Sequence, residues 1–106
     1  MSFNAFVGGV QPGGLTNDFE VKLLVCYLLD SLKQPLVFEQ LGEIFQNTGL
    51  VNYFEFVEAA SELERTGQLT SSIQDGQQQL ALTENGTVTA QTFYKTIPKS
   101  AREKAL

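Results

Sequence analysis

At 106 residues, 42% hydrophobic and 18% charged, the chain suits one domain with a real core, while a single cysteine and no histidine exclude internal disulfides and most zinc, haem-iron and copper sites. The same counts remove the Ser-His-Asp and Cys-His pairs of hydrolases, and a net charge of −5 argues against coating nucleic acid or binding anionic lipid through a basic patch. A lone thiol sets the expectation of a reducing, cytoplasmic location, with no bound cofactor or metal.

Residues 1–15 carry no Lys or Arg and place Gly8, Gly9, Gly13 and Gly14 around Pro12, which reads as a flexible leader and not as an export signal. Thr16, Asn17 and Asp18 then offer oxygen acceptors to the unpaired amides of a helix start, with Asp18 and Glu20 at the positive end of its dipole. A first helix is predicted over 17–32. Phe19, Leu23, Cys26 and Tyr27 share one face, and Val21, Leu24, Val25, Leu28 and Leu29 load much of the remainder. Such a helix is either central or half covered by a second chain. Its apolar run at 23–29 is far below the ~20 residues of a bilayer span, so no membrane anchor is expected. Cys26, mid-helix among apolar residues, reads as a buried structural thiol before a redox sensor.

Pro35 pushes the preceding residue out of helical geometry and ends that segment. A second helix is predicted over 38–46, with Leu41, Ile44 and Phe45 inward. Asn47, Thr48 and Gly49 make a turn over Leu50 and Val51, and Asn52 stands as the N-cap of a third helix over 53–65. There Tyr53, Phe56, Val57, Ala60 and Leu63 are spaced to face the core. Phe54 falls outside the main stripe, as an exposed aromatic contact. Gly67 stops this helix in a left-handed conformation. Strands over 68–74 and 77–82 flank Asp75 and Gly76, a dipeptide suited to a two-residue hairpin turn, with Leu80 and Leu82 inward and Ile73 opposing them. Thr83 caps a fourth helix over 84–96 with Val88, Phe93 and Ile97 as apolar contacts, and Pro98 interrupts it. The domain is thus bounded at 16–97 and followed by a basic tail at 98–106.

Helix, helix, turn, helix, hairpin, helix is the order of a winged helix-turn-helix, mainly α with a small β-hairpin. Leu63, Gly67, Leu69, the Asp75 and Gly76 turn, Leu80, Leu82, Thr83 and Gly86 resemble the helix-end, wing and strand-end signature of bacterial winged-helix regulators. The stretch 48–63, with Val51, Asn52, Tyr53 and Phe54 and then Ala59, Ala60, Ser61, Glu62 and Leu63, is similar to a bacterial winged-helix family of domain-of-unknown-function type. The resemblance covers roughly 15–105. It implies a winged-helix fold and a role in DNA binding or transcriptional regulation.

The charges point elsewhere. Positions 1–94 hold three basic against eleven acidic residues, whereas from Lys95 onward four basic residues face only Glu103. A recognition helix should present Arg, Lys, Asn or Gln to base edges and phosphates. The outward positions of the third helix are instead Glu55, Glu58, Glu62 and Arg65, which suit a basic protein partner better than a polyanion. Asn52 can reach a base edge, though a cap is its simpler role. Gln74, Gln77, Gln78 and Gln79 beside the turn can hydrogen-bond to a groove without adding charge; their simpler role is a soluble hairpin that no Lys protects at its edge. Lys95, Lys99 and Arg102, at helical spacing, suit phosphate, an acidic surface or plain solvation. Carboxylates are plentiful but define no cleft, so no acid/base enzyme is expected. Two functions follow. One is a non-enzymatic DNA-binding regulator acting as a homodimer on double-stranded DNA, with the first helix, fourth helix or tail completing the dimer. The other is a protein-interaction module that uses the acidic third-helix face.

Overall fold

A computed structural model describes residues 18–49, 51–97, 99, 102 and 103. The expectations placed on the leader, on Thr16 and Asn17, and on Leu50 lie outside the described residues. The order is α1 (Asp18–Leu32), β1 (Leu36–Val37), α2 (Phe38–Thr48), α3 (Tyr53–Arg65), β2 (Leu69–Gln74), β3 (Gln77–Leu82) and α4 (Glu84–Phe93), followed by a short 3₁₀ turn (Tyr94–Thr96). The protein is mainly helical with a small antiparallel sheet, an order compatible with a winged helix.

α1 is the centre of the molecule. Val21, Leu23, Leu24, Val25, Cys26, Leu28 and Leu29 are all buried, because α3, α4 and β3 each pack against a different side of it. Its apolar character is absorbed within one chain. The helix closes where Lys33 takes a left-handed φ of 57° and donates its N–H to the Leu29 carbonyl at 3.1 Å. Pro35 then holds the chain extended into β1.

β1 was not expected from the sequence. Leu36 pairs with Leu80 and Val37 with Gln79, so the sheet has three strands in the order β1-β3-β2 instead of a bare hairpin. Two residues carry no readable period; they become a strand because the free edge of β3 accepts their backbone groups.

α2 runs two residues past its expected end and stops at Gly49, whose φ of 69° lets its N–H reach the Phe45 and Gln46 carbonyls. Asn52 caps α3 as predicted, its Oδ1 accepting the Glu55 N–H at 2.8 Å. α3 buries Phe56, Ala59, Ala60 and Leu63. Phe56 sits between Phe38 and Phe45, with ring centroids 5.0 and 5.4 Å away. The predicted stripe is therefore rotated. Tyr53 and Val57 lie at the rim and stay partly exposed, and Ala59 takes a core position, its small side chain suiting the close face between α1 and α3.

Asp75 (φ 52°) and Gly76 (φ 77°) form the turn between β2 and β3, with both central residues left-handed as a tight hairpin requires. Leu80 is buried and Leu82 half-buried, as expected, but Ile73 is 71% exposed because the hairpin tip overhangs the body. At the base, the Thr83 N–H bonds the Gln68 carbonyl at 3.0 Å, and the Thr83 hydroxyl donates to the Gly67 carbonyl and accepts the Gly86 N–H. That knot fixes the start of α4 to the end of α3. α4 ends at Phe93, short of the expected 96, where the chain tightens into the 3₁₀ turn. Of its expected apolar contacts only Ile97 is fully buried. Val88 points away from the Gly86 and Ala90 face, and Phe93 reaches only the edge of the core beside Phe19, ring centroids 6.0 Å apart.

Candidate functional site

The outward side of α3 follows from its burial. With Phe56, Ala59, Ala60 and Leu63 on the core side, the positions one half-turn away are Phe54, Val57, Glu58, Ser61, Glu62 and Arg65, a single stripe along the helix. Phe54, Val57, Glu58, Ser61 and Glu62 line a shallow open groove. Phe54 is 81% exposed and is the most exposed large apolar side chain among the described residues. Tyr53 meets it edge-on at 6.4 Å and itself rests over Gly42, where an added Cβ would lie 3.3 Å from the Tyr53 ring. With the Tyr53 ring on one side and water on the other, Phe54 is an aromatic projection from α3.

The charges of this stripe are unevenly satisfied. Arg65 grips Glu62 through Nε at 2.7 Å and Nη2 at 3.2 Å, and this hydrogen-bonded pair holds the Glu62 carboxyl below its usual range. Glu64 accepts from the Ser71 hydroxyl at 2.8 Å, tying α3 to β2. Glu55 behaves differently: partial desolvation and the neighbouring carboxylates of Asp18 and Glu58 raise its pKa. The N-terminal half of α3 therefore gathers negative charge around an exposed ring, and the helix's one guanidinium, Arg65 in the last turn, is already engaged.

Asn52 spends both ends of its amide on Glu55, Oδ1 on the backbone N–H and Nδ2 on Oε1 at 2.9 Å. Its geometry is that of a cap. Gln74 and Gln77 oppose each other at the tip of the hairpin and are exposed, on the sheet face shared with Thr70 and Ser72 and not on that of buried Leu69. They do not converge with the α3 stripe. Lys22 of α1 pairs with Asp18 at 3.3 Å and also acts on the Glu62 carboxyl, whereas the described basic residues of the tail have partners of their own. Arg102 donates to the Ile97 carbonyl at 3.2 Å and lies 5.2 Å from the centre of the Tyr94 ring, which stacks on Tyr27 of α1. Lys95 faces the same ring at 5.9 Å, and Lys99 pairs with Glu103 at 3.9 Å across an exposed turn.

Sequence reading missed Val57 and Ser61 as groove residues and Asp18 as a neighbour of Glu55. The first two carry a helical-spacing signal from Phe54, had the core stripe been placed at Phe56, Ala59 and Leu63. The third depends on how α1 crosses α3. Among the described residues, no group of three or more His, Cys, Asp or Glu is placed to hold a metal ion, and no helix is long and apolar enough to cross a membrane. The Cys26 thiol is buried, and desolvation pushes its pKa up to about 12.

Residues 21–106 match one family model, described as a domain of unknown function, DUF4364. No curated protein and no solved structure matches the chain.

Proposed function

The chain belongs to the DUF4364 family, and from that premise we propose that it is a non-catalytic winged-helix binding domain whose α3 face docks a basic protein segment. The observation that carries this reading is the exposed Phe54 ring lining one groove with Glu58, with Glu55 next to Phe54 in the chain, on a helix whose only guanidinium is held by Glu62. An aromatic face next to unneutralised carboxylates suits a guanidinium or ammonium group, which gains from the ring quadrupole and from charge together. Phosphate in the same place would meet repulsion.

Binding of double-stranded DNA as a transcriptional regulator is the second reading. It is favoured by the α2-turn-α3 order and by the uncharged, exposed Gln74 and Gln77 at the hairpin tip. One variant separates the two. Glu55→Gln, Glu58→Gln and Glu62→Gln combined should weaken binding of a labelled Arg-rich amphipathic peptide at least tenfold, measured by fluorescence anisotropy. Tighter binding of labelled duplex fragments by the same variant, with no peptide binding by either form, would overturn docking and favour DNA. Unchanged anisotropy with both probes would reduce the face to solvated surface.

A further inference from the structure

The sheet leaves its longer edge open. β3 lies between β1 and β2, so β2 is an outer strand of six residues, while β1 contributes only two. Gln74 and Gln77 close a two-residue turn, and in such a hairpin the hydrogen-bonded pairs recur at every second position. Thr70 and Ser72 therefore bond to β3, while the N–H and C=O groups of Ser71 and Ile73 point away from it. Among the described residues these outward groups have no backbone partner.

We propose that β2 pairs antiparallel with β2 of a second copy of this chain, about a two-fold axis near Ser72. Setting Ser71 opposite Ile73 of the copy satisfies both outward pairs with roughly four backbone hydrogen bonds. Three further observations select a second copy as the occupant. β2 itself carries no charged side chain, and Asp75 of the adjoining turn and Glu64, hydrogen-bonded to Ser71, are fewer carboxylates than α3 presents on its outer side, so two chains of net charge −5 approach here with less repulsion than through α3. Face-to-face approach through α3 would instead set Glu55 and Glu58 against their own counterparts. β2 also carries no Pro, Lys or inward charge to block strand addition, and Ile73 loses exposed apolar surface against the copy. Self-pairing through β2 uses residues other than those that line the α3 groove and does not rest on what binds there. A contact of this size falls below that of standard stable interfaces, so the dimer is concentration-dependent.

Sedimentation velocity of the full chain, from roughly 10 μM to 1 mM, tests this. The expected result is a reversible monomer–dimer equilibrium, weakened at least tenfold by Ile73→Lys and by Ser71→Pro, which removes an outward N–H together with the hydroxyl that donates to Glu64. Circular dichroism should be unchanged in both. If Ser71→Pro does not fold, Ile73→Lys decides. A monomer throughout the range, or a dimer indifferent to Ile73→Lys, overturns the proposal.

Discussion

Glu55 is the residue where local and global demands meet. As the third residue of a capped helix it answers Asn52 with both its backbone N–H and its carboxylate, a reciprocal arrangement that stabilises a helix start. Yet desolvation, Asp18 and Glu58 all raise its pKa. For an acid, a folded pKa above the unfolded one means that ionisation costs more in the native state, so this penalty is absent below the unfolded pKa, grows as pH rises from there and is complete above the folded one. Glu55→Gln keeps the acceptor and removes the charge. It should therefore raise the melting temperature at pH 7, with the gain shrinking to nothing as pH falls below the ordinary carboxylate value of ~4.3. Thermal melts of both forms across pH 3–8 check this; a gain that persists at pH 3 would show the cause is not charge. The cap was legible in the sequence because Asn52 and Glu55 are neighbours on one helix turn. The pKa shift was not, since Asp18 lies far away in the chain.

Junctions between elements show a similar division. Gly86 sits at the start of α4, where an added Cβ would collide with the Gln68 carbonyl oxygen and with Leu82 Cδ2. Backbone cannot yield as a flexible side-chain tip does, so Gly86→Ala should destabilise by about 1–3 kcal/mol and pull apart the Gly67, Gln68 and Thr83 knot. Chemical denaturation should show a lower midpoint at nearly unchanged slope. In the sequence Gly86 figured only within a resemblance; its physical reason is the approach of α4 to the α3–β2 connection. α1, α2, α3 and the hairpin were readable from apolar periodicity and from the Asn52, Gly49 and Asp75-Gly76 signals, whose effect is local. β1 and the early end of α4 were not, because a two-residue strand exists only through its partner and helix ends yield to tertiary packing. The α3 core stripe was misplaced for a related reason. Tyr53 and Val57 are as apolar as the positions that won, but only the crossing of α1 over α3 selects Ala59 for the interior.

For the whole molecule, the separation of charge seen along the chain survives folding. The acidic α3 face carries an exposed aromatic, while the described basic residues of the tail make contacts of their own: Arg102 lies against Tyr94 and the Ile97 carbonyl, and exposed Lys99 is paired with Glu103. None of these described contacts joins the tail to the groove. Docking of a basic segment at α3 should accordingly weaken as salt rises, while the apolar contribution of Phe54 persists. Titrating the Arg-rich peptide across a salt series, for the native chain and for Phe54→Ala, checks this. The native chain should retain measurable binding at high salt and the variant should not. Equal loss in both would mean that charge alone holds the peptide.

By itself the sequence determined what depends on neighbours along the chain. Caps, the left-handed turn residues, the apolar runs and the absence of His all follow from residue type and short spacing, where steric and hydrogen-bonding preferences act directly. It also determined that α3 is acidic on its outer side. Only the tertiary structure decided which α3 residues face outward, that Tyr94 stacks on Tyr27, and that β2 is left as an open edge. Each of these is a contact or its absence between parts distant in sequence, and burial selects among faces of nearly equal apolarity only when the elements pack.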